Sequence, residues 1–489
     1  MQVLNTQKYG TQMRGGFVKI LGLVVIVALI GFGIFALSAD SFEREAPKIT
    51  IKESASWNLK DSFPIEISDN FGIKSYSVAL VENGQKIPLD VQDLTTQNAV
   101  CLAKNANTAP LVQNIITQSP TKSFCIGIQK PQNIKSNAES LILEVSVKDT
   151  SNWNFFKGNT TTQQFRIAID TKKPELAIVA NSYKVTQGGS ALVIFRAVDE
   201  HLERIKITNG NLEFDAQPFY KDGFYIALIA WSKLHNDFAP KIIAKDFAGN
   251  VSVVPIPYFQ QKKQYKDSTI PLTDAFIDGK ISSLVQEIGE RNLAEFSDKL
   301  AIFRYINEEV REDTFNRVLS AGLFLDTKSL VSEFPIKPFA PLRNGAVMAS
   351  FGDHRTFTYK GEFVSESNHM GLDLASVKQA PVLLSNRGIV TLNEFVGIDG
   401  NAIVINHGLG LSTLYAHLTT SNVNVGDVVE VGDVIAKTGN TGLALGDHLH
   451  FSVLVQGYEV WNAEWMDAQW IKLNIADVIA EAKAIIDKI

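Results

Sequence analysis

Two histidines near the C-terminal end of the chain have the residue type and the spacing that catalysis needs. His448 and His450 lie in the run 446–451, which follows a turn-rich stretch and leads into the apolar residues 451–455. An apolar run after a turn predicts a strand, and side chains two apart on a strand point to the same face. The spacing therefore predicts two imidazoles side by side over one surface, as ligands or bases.

Two upstream fragments add to this pair. His369 and Asp373 are four residues apart, and His417 ends another strand-like run. Six of the eight histidines of the chain lie between positions 354 and 450. Neutral imidazoles with one carboxylate and an open position for water are the ligand set of a catalytic zinc site. Because no cysteine stands among these residues, the pattern argues against a structural zinc site.

In order and spacing, the fragments H-x-x-x-D, H-L and H-L-H-F resemble peptidase family M23, also called the LytM or lysostaphin type. The resemblance covers roughly residues 338–461 and includes further motifs, among them Phe351-Gly352, Gly388-Ile389-Val390, Ile405-Asn406-His407-Gly408, Val425-Gly426-Asp427 and Gly432-Asp433-Val434. It implies that three residues bind Zn²⁺, namely His369, Asp373 and His450. It also implies that His448 and His417 are the catalytic histidines, with the identity of the base left open, and that His407 is structural.

The chain departs from the common family pattern at two points. Ser452 stands where an acidic residue often follows H-L-H-F, and residues 379–381 replace a Gly-Thr-Pro turn. Neither change touches the implied ligands. Residues 351–361 resemble a subgroup with a long loop before the first ligand, and this loop would form one wall of the cleft.

By the same resemblance, the chain is a zinc metalloendopeptidase with an antiparallel β catalytic domain and a narrow groove for flexible peptides. Peptide stems of peptidoglycan, with their Gly or D-Ala residues, are the implied substrate. The main alternative is a non-catalytic scaffold or activator that uses the same fold to bind the wall or other wall hydrolases. A protease for protein substrates is a weaker alternative.

Composition indicates a multidomain, mainly β protein. A chain of 489 residues is too long for one ordinary core. The net charge of −6 is spread along the sequence, so no basic surface for nucleic acid is visible. We therefore expect no nucleic-acid partner.

The N-terminal segment, residues 1–40, contains an uncharged apolar run from Ile20 to Leu37. Basic residues precede the run and acidic residues follow it, and a bilayer requires about 20 apolar residues. This pattern predicts a single-pass helix in the cytoplasmic membrane, with the chain after it facing the periplasm or the outside. The alternative is a cleaved signal peptide.

Two tandem immunoglobulin-like β-sandwiches are predicted over residues 46–172 and 173–260. Short alternating strands recur between turns, and Ala46-Pro47-Lys48 matches Lys173-Pro174-Glu175. The first unit carries an insertion at about 95–137 that contains Cys101 and Cys125. In an exported protein these two cysteines would form a disulfide, and otherwise they are free thiols. Both sandwiches are expected to be spacers or docking surfaces for protein partners.

A helical linker is predicted over residues 270–332, where apolar residues recur every three to four positions. It either packs on the catalytic domain and covers its groove or merely connects the domains. The catalytic domain is expected over 335–470, followed by an amphipathic C-terminal helix within 471–489.

Overall fold

The computed structural model describes residues 12–38, 40–51, 56–93, 123–131 and 138–489. Its contacts divide the chain into two compact units. The first consists of Met1–Lys172 with Phe247–Asn250, and the second of Lys173–Asp246 with Val251–Ile489. The described residues are mainly β, as the sequence predicts.

The first unit begins with helix α1, Gln12–Ser38, and a 3₁₀ turn at Asp40–Phe42. Within the part of the chain that the structure describes, no helix has the length and hydropathy needed to cross a membrane. The membrane-spanning helix predicted from the apolar run 20–37 is therefore not supported.

Two sheets form the body of the first unit, with strand orders β1-β3-β6 and β2-β8-β7-β4-β5. In β3 the side chains alternate between buried and exposed, and Phe63, Ile65 and Ile67 share one core with Val145 and Val147 of β7. The two sheets are thus packed face to face, while the immunoglobulin-like assignment stays a prediction. The elements are β1 Lys48–Thr50, β2 Ser56–Trp57, β3 Phe63–Ser68, β4 Ile73–Glu82, β5 Gln85–Asp93, β6 Ser123–Ile128, β7 Ser140–Asp149, α2 Trp153–Phe156 and β8 Thr160–Ile169.

The predicted insertion at 95–137 overlaps this sandwich. Residues Ser123–Ile128 form β6, which pairs with β3, so this part of the predicted insertion is a strand of the sheet. Cys125 lies on β6, whereas Cys101 falls outside the described residues. The disulfide between them stays a prediction.

The second unit opens with another pair of four-stranded sheets, with orders β14-β15-β11-β9 and β13-β12-β16-β17, and a short parallel pair β10-β18. Both larger sheets contribute to one core, with Phe195 from the first and Ile207 and Phe214 from the second. The strands are β9 Glu175–Asn181, β10 Lys184–Thr186, β11 Ser190–Val198, β12 Leu202–Asn209, β13 Leu212–Phe214, β14 Gln217–Pro218, β15 Phe224–Ala230, β16 Lys241–Asp246, β17 Val251–Pro255 and β18 Phe259–Gln261.

A strand and four helices follow, within the predicted helical segment and its N-terminal border. They are β19 Asp267–Pro271, α3 Asp274–Phe276, α4 Ser282–Ile288, α5 Lys299–Arg304 and α6 Arg311–Gly322. Thr273 caps α3 by accepting from the backbone of Phe276, and Asp298 caps α5 in the same way. A π-helical turn at Tyr305–Val310 joins α5 to α6.

The predicted catalytic domain is built on an eight-stranded sheet. Seven of its strands follow the order β20-β23-β31-β27-β26-β25-β29, and the eighth, β32, pairs with β31. Two further sheets of three strands each have the orders β19-β21-β22 and β24-β30-β28. The strands are β20 Ala346–Ala349, β21 Asp353–Tyr359, β22 Glu362–His369, β23 Leu372–Ala375, β24 Pro381–Leu383, β25 Gly388–Val396, β26 Gly400–Asn406, β27 Leu411–Ala416, β28 Thr420–Ser421, β29 Val428–Val429, β30 Val434–Lys437, β31 Leu449–Val455 and β32 Tyr458–Val460.

The eight-stranded sheet is covered on both faces. On one face Phe451, Val453 and Val455 of β31 join the core that also contains the sandwich of the same unit. On the other face Leu454 packs with Val318 of α6. Helix α6 therefore lies on the eight-stranded sheet, while the predicted covering of the groove stays a prediction.

Three short helices end the chain: α7 Asn462–Trp465, α8 Ala468–Ile471 and α9 Asp477–Ile486. Helix α9 contacts β9 and β11, so the C-terminal helix packs on the sandwich of the second unit. Buried polar contacts tie the same parts together. The Glu464 carboxylate accepts hydrogen bonds from the backbone N–H and the hydroxyl of Ser190, and the indole of Trp465 donates to that hydroxyl.

Candidate metal centre

Strand pairing brings the first two candidate ligands face to face. In the antiparallel pair β23–β31, Asp373 lies directly opposite His450, and on the other side of β31 the partner of His450 is Ala416. Directly opposite side chains on antiparallel strands lie about 4.5–5.5 Å apart at their Cβ atoms. His417 follows Ala416, and His369 ends β22, so all the predicted site residues except His448 are positioned by strand ends or strand register.

Three atoms converge at the centre of this arrangement. The Asp373 Oδ1 atom lies 3.0 Å from His369 Nε2 and 2.9 Å from His450 Nδ1. The two ring nitrogens are 3.2 Å apart. Donor atoms bound to one tetrahedral zinc are about 3.3 Å apart. The spacing of the three atoms therefore fits a common metal ion, and the three residues are the ones that the sequence predicts as ligands.

In both candidate histidine ligands, the ring nitrogen that faces away from the centre has a hydrogen-bond partner in the protein. His369 Nδ1 lies 3.0 Å from the carbonyl oxygen of Ser350, to which it can only donate. His450 Nε2 lies 3.1 Å from Ser452 Oγ, and that hydroxyl donates to the carbonyl oxygen of Met370. Protons on these outer nitrogens leave lone pairs on His369 Nε2 and His450 Nδ1, as metal ligation requires.

Charge at the centre also favours a cation. Burial raises the pKa of the Asp373 carboxyl, but the imidazoles of His369 and His450, when they carry protons on the facing nitrogens, outweigh it and hold the pKa well below its usual range. Burial lowers the pKa of His369. For His450 burial acts in the same direction, yet contact with Asp373 leaves its pKa raised. An ionised, buried carboxylate thus stabilises positive charge at this point.

Two further imidazoles stand beside the three ligands. The rings of His417 and His448 are 4.8 Å apart between centroids, and His417 is 5.8 Å from His450. His417 Nδ1 donates to the carbonyl of Thr441, and His448 Nδ1 donates to that of Gly446. His448 Nε2 lies 3.7 Å from Asp373 Oδ1. The structure therefore brings all five predicted site residues together, and their individual roles stay predictions.

The two additional histidines differ in how deeply they are buried. His417 is buried, and this burial lowers its pKa well below the usual value. It also has a backbone φ of 61°, a left-handed conformation that is uncommon for a residue other than glycine. Such strain is concentrated at functional sites. The backbone thus turns at the end of β27 to hold this imidazole at the centre.

His407 lies away from the centre, as predicted. Its Nδ1 donates to the carbonyl of Arg387 and its Nε2 contacts Thr413 Oγ1 at 2.8 Å. Burial lowers its pKa to about 4, so it is neutral at physiological pH. These contacts fit the structural role expected from the sequence.

Sequence patterns missed several residues that shape the site. Ser452 was noted only as a departure from the family pattern, yet it holds the ring of His450. Gly371 has no side chain because a Cβ there would lie 2.6 Å from Ser452 Oγ and closer still to the His450 ring. A cavity of about 330 Å³ beside the centre is lined by Arg311 and Phe315 of α6 together with His369 and His450. The only sequence signal for these contacts was Gly371 within the H-x-x-x-D fragment.

Comparison with known proteins agrees with this geometry, since residues 367–462 match the model of peptidase family M23. The C-terminal part of the chain is an M23 peptidase domain. The DD-carboxypeptidase/endopeptidase Mpg of Neisseria meningitidis is 39% identical over 92 residues, which are 19% of this chain and 21% of that protein. The peptidoglycan DD-endopeptidase ShyA of Vibrio cholerae is 38% identical over 92 residues, with the same shares of 19% and 21%. The chain thus matches about a fifth of the length of these curated relatives.

Among solved structures, the catalytic domain of the antimicrobial peptidase lysostaphin from Staphylococcus simulans is 25% identical, with a TM-score of 0.22. That comparison covers 25% of this chain and 92% of the lysostaphin domain. The matched M23 segment spans β23 to β32 and includes all five predicted site residues.

Proposed function

We propose that this protein is a zinc metalloendopeptidase that hydrolyses peptide cross-links of peptidoglycan. The observation that carries the proposal is the convergence of His369 Nε2, His450 Nδ1 and Asp373 Oδ1 within 3.2 Å of one another. Two more imidazoles stand beside this set. The metal would be held by these three atoms, and nitrogen and carboxylate donors in this number are typical of catalytic zinc.

Bound zinc would polarise a peptide carbonyl and lower the pKa of water toward about 7. The chain's own residues supply the remaining functions. His417 and His448 each have Nδ1 engaged with a backbone carbonyl, so each offers Nε2 to substrate or water. One accepts a proton from the nucleophilic water and returns it to the leaving amine, and the other stabilises the developing oxyanion.

The substrate class rests on the relatives. Mpg is named as a DD-carboxypeptidase/endopeptidase and ShyA as a peptidoglycan DD-endopeptidase, and each is similar to this chain over 92 residues. A cross-linked peptide stem is flexible and extended, which suits a site at the ends of strands β22, β23 and β27. On this proposal the peptidase domain works outside the cytoplasmic membrane, in the periplasm or at the cell surface.

The N-terminal segment and the two sandwiches would hold the peptidase domain at that location. The single-pass anchor in the cytoplasmic membrane rests on the sequence of residues 20–37 alone. The two sandwiches, proposed as immunoglobulin-like, act as spacers and as docking surfaces for protein partners. Their strands contribute no residue to the five-residue site.

The test is digestion of purified, cross-linked muropeptides by the full chain, followed by mass spectrometry. Zinc content is measured on the same samples. We expect cleavage of cross-linked dimers into monomers, loss of bound zinc in the ligand variants, and loss of cleavage in the same variants: His369→Ala, Asp373→Ala and His450→Ala. A zinc-loaded protein that leaves every cross-link intact would instead support the non-catalytic scaffold.

A further inference from the structure

The first sandwich carries a second group of metal-type ligands. Glu43, Asp69 and Asp149 each place a carboxylate oxygen so that these oxygens lie within 4.8 Å of one another. The three residues come from separate segments: Glu43 precedes β1, Asp69 follows β3, and Asp149 ends β7. Oxygens that bind one Ca²⁺ at 2.3–2.6 Å are at most about 5 Å apart. The spacing is therefore that of a shared cation.

Two carboxylate oxygens of these residues are buried without a hydrogen-bond partner. Asp69 is only 9% exposed, and neither its Oδ2 nor Glu43 Oε2 has a partner. Asp149 is fully buried. Leaving a buried carboxylate oxygen unpaired costs free energy, because water is lost and nothing replaces it. A cation between the carboxylates would satisfy both unpartnered oxygens.

No basic side chain neutralises the group. Among the described residues, no Lys, Arg or His forms an ion pair with Glu43, Asp69 or Asp149. Arg44 is the nearest cation in sequence, but its guanidinium lies over the ring of Trp153, 4.3 Å from the centroid. Three like charges at this spacing repel one another strongly in a partly buried setting. A bound cation would reduce this repulsion.

The loops hold the carboxylates in place before any ion binds. Asp69 Oδ1 accepts from the backbone N–H groups of Phe71 and Gly72, while its Oδ2 has no hydrogen-bond partner. Asp149 Oδ1 accepts from Ser151 N and Asn159 N, and its Oδ2 accepts from Asn159 Nδ2 at 2.7 Å. On the third segment, Glu43 Oε1 accepts from the backbone N–H of Glu45. One oxygen of each side chain is thus fixed by the backbone.

A similar arrangement recurs in the sandwich of the second unit. Asp199 follows β11, as Asp69 follows β3, and its Oδ1 accepts from the backbone two residues on, at His201. Asp246 ends β16, as Asp149 ends β7, and oxygens of Asp199 and Asp246 lie within 4.8 Å of each other. The same two positions are thus acidic in both sandwiches, which argues against a chance cluster.

We propose that Glu43, Asp69 and Asp149 form a calcium-binding site in the first sandwich. Calcium fits better than Mg²⁺ because it accepts several carboxylates in flexible geometry, whereas Mg²⁺ retains most of its waters. Because the ligands come from three segments, binding ties the chain that enters from α1 to two strands of the sandwich. The ion therefore stiffens the junction between the N-terminal segment and the first sandwich.

The experiment is calcium titration of the full chain by equilibrium dialysis after exchange into calcium-free buffer. Asp69→Asn and Glu43→Gln keep the size of each side chain and remove one charge. We expect each variant to bind one calcium fewer per chain, or to bind that ion at least about tenfold more weakly, because charge count sets calcium affinity. Glu66→Gln is the matched control: it removes the same charge from an exposed position on β3 and should bind as the wild type does.

Two further readouts separate a ligand role from a folding role. Without calcium, Asp69→Asn should be at least as thermally stable as the wild type, since it relieves repulsion. With calcium, only the wild type and Glu66→Gln should gain stability. The proposal is overturned if the wild type binds no calcium up to 10 mM, if both ligand variants titrate like the wild type, or if Mg²⁺ competes at equal concentration.

Discussion

Replacing Gly371 by alanine tests whether the ring of His450 is held where a metal needs it. A Cβ on Gly371 would lie 2.6 Å from Ser452 Oγ, against 3.4 Å for an ordinary contact, so the groups must separate by about 0.8 Å. The ring of His450 is closer still, and it is wedged between Ser452 and Asp373. Because a misplacement of about 1 Å in a catalytic site costs roughly 10²-fold in rate, we expect muropeptide cleavage to fall by about two orders of magnitude.

The assay is the rate of cross-link cleavage at saturating zinc, with zinc content and the melting temperature measured on the same samples. Gly446→Ala is the matched control, because it adds the same methyl group close to His448 but meets nothing within 4 Å. It should cleave at nearly the wild-type rate. If Gly371→Ala retains its zinc and cleaves within about threefold of the control, His450 is not the ligand that the geometry indicates.

Three other predictions concern the same unit. His417→Ala and His448→Ala should keep zinc and lose about 10²–10⁴-fold in rate, the usual cost of removing a general acid or base; near-normal turnover would remove that residue from the mechanism. Dialysis against a zinc chelator should abolish cleavage by the wild type, and added zinc should restore it in the wild type but not in Asp373→Asn; full rescue of that variant would contradict its role as ligand. Burial raises the pKa of Glu464 to about 8, so the folded state favours its neutral form and loses stability as pH rises from about 4.5 through 8. Glu464→Gln should therefore melt a few degrees above the wild type at pH 8 but not at pH 5, and a pH-independent difference would show that the carboxyl does not titrate with folding.

The candidate ligands were predictable because His369, Asp373 and His450 lie on regular strands, whereas His417 and His448 lie just outside strand ends. Alternation of side chains along β31 predicts the face of the sheet on which His450 lies. The family pattern identifies Asp373 and His369. The pairing of β23 with β31 was not predictable in the same way, since register depends on partners distant in sequence. The contact of Ser452 with His450 depends on that register, and therefore only the structure reveals it.

The fold was predictable to a similar degree. The helical period over 272–325 correctly indicated α3 to α6, but period alone does not tell which surface an apolar stripe will cover. Here Val318 of α6 covers the sheet face that bears Leu454 and His450. The apolar run at 20–37 predicted an anchor that the described helices do not support.

The core shared between the second sandwich and the peptidase sheet limits how this protein can be divided. Phe214 and Phe451 belong to one continuous buried cluster, and Gln456 bonds to the backbone of Asp215 in both directions. Amide protons on the two sides should therefore exchange with solvent through one common opening event rather than two. A chimera with the peptidase portion of a relative would keep only the sandwich side of this shared core. The second sandwich and the peptidase portion would thus have to be transferred together.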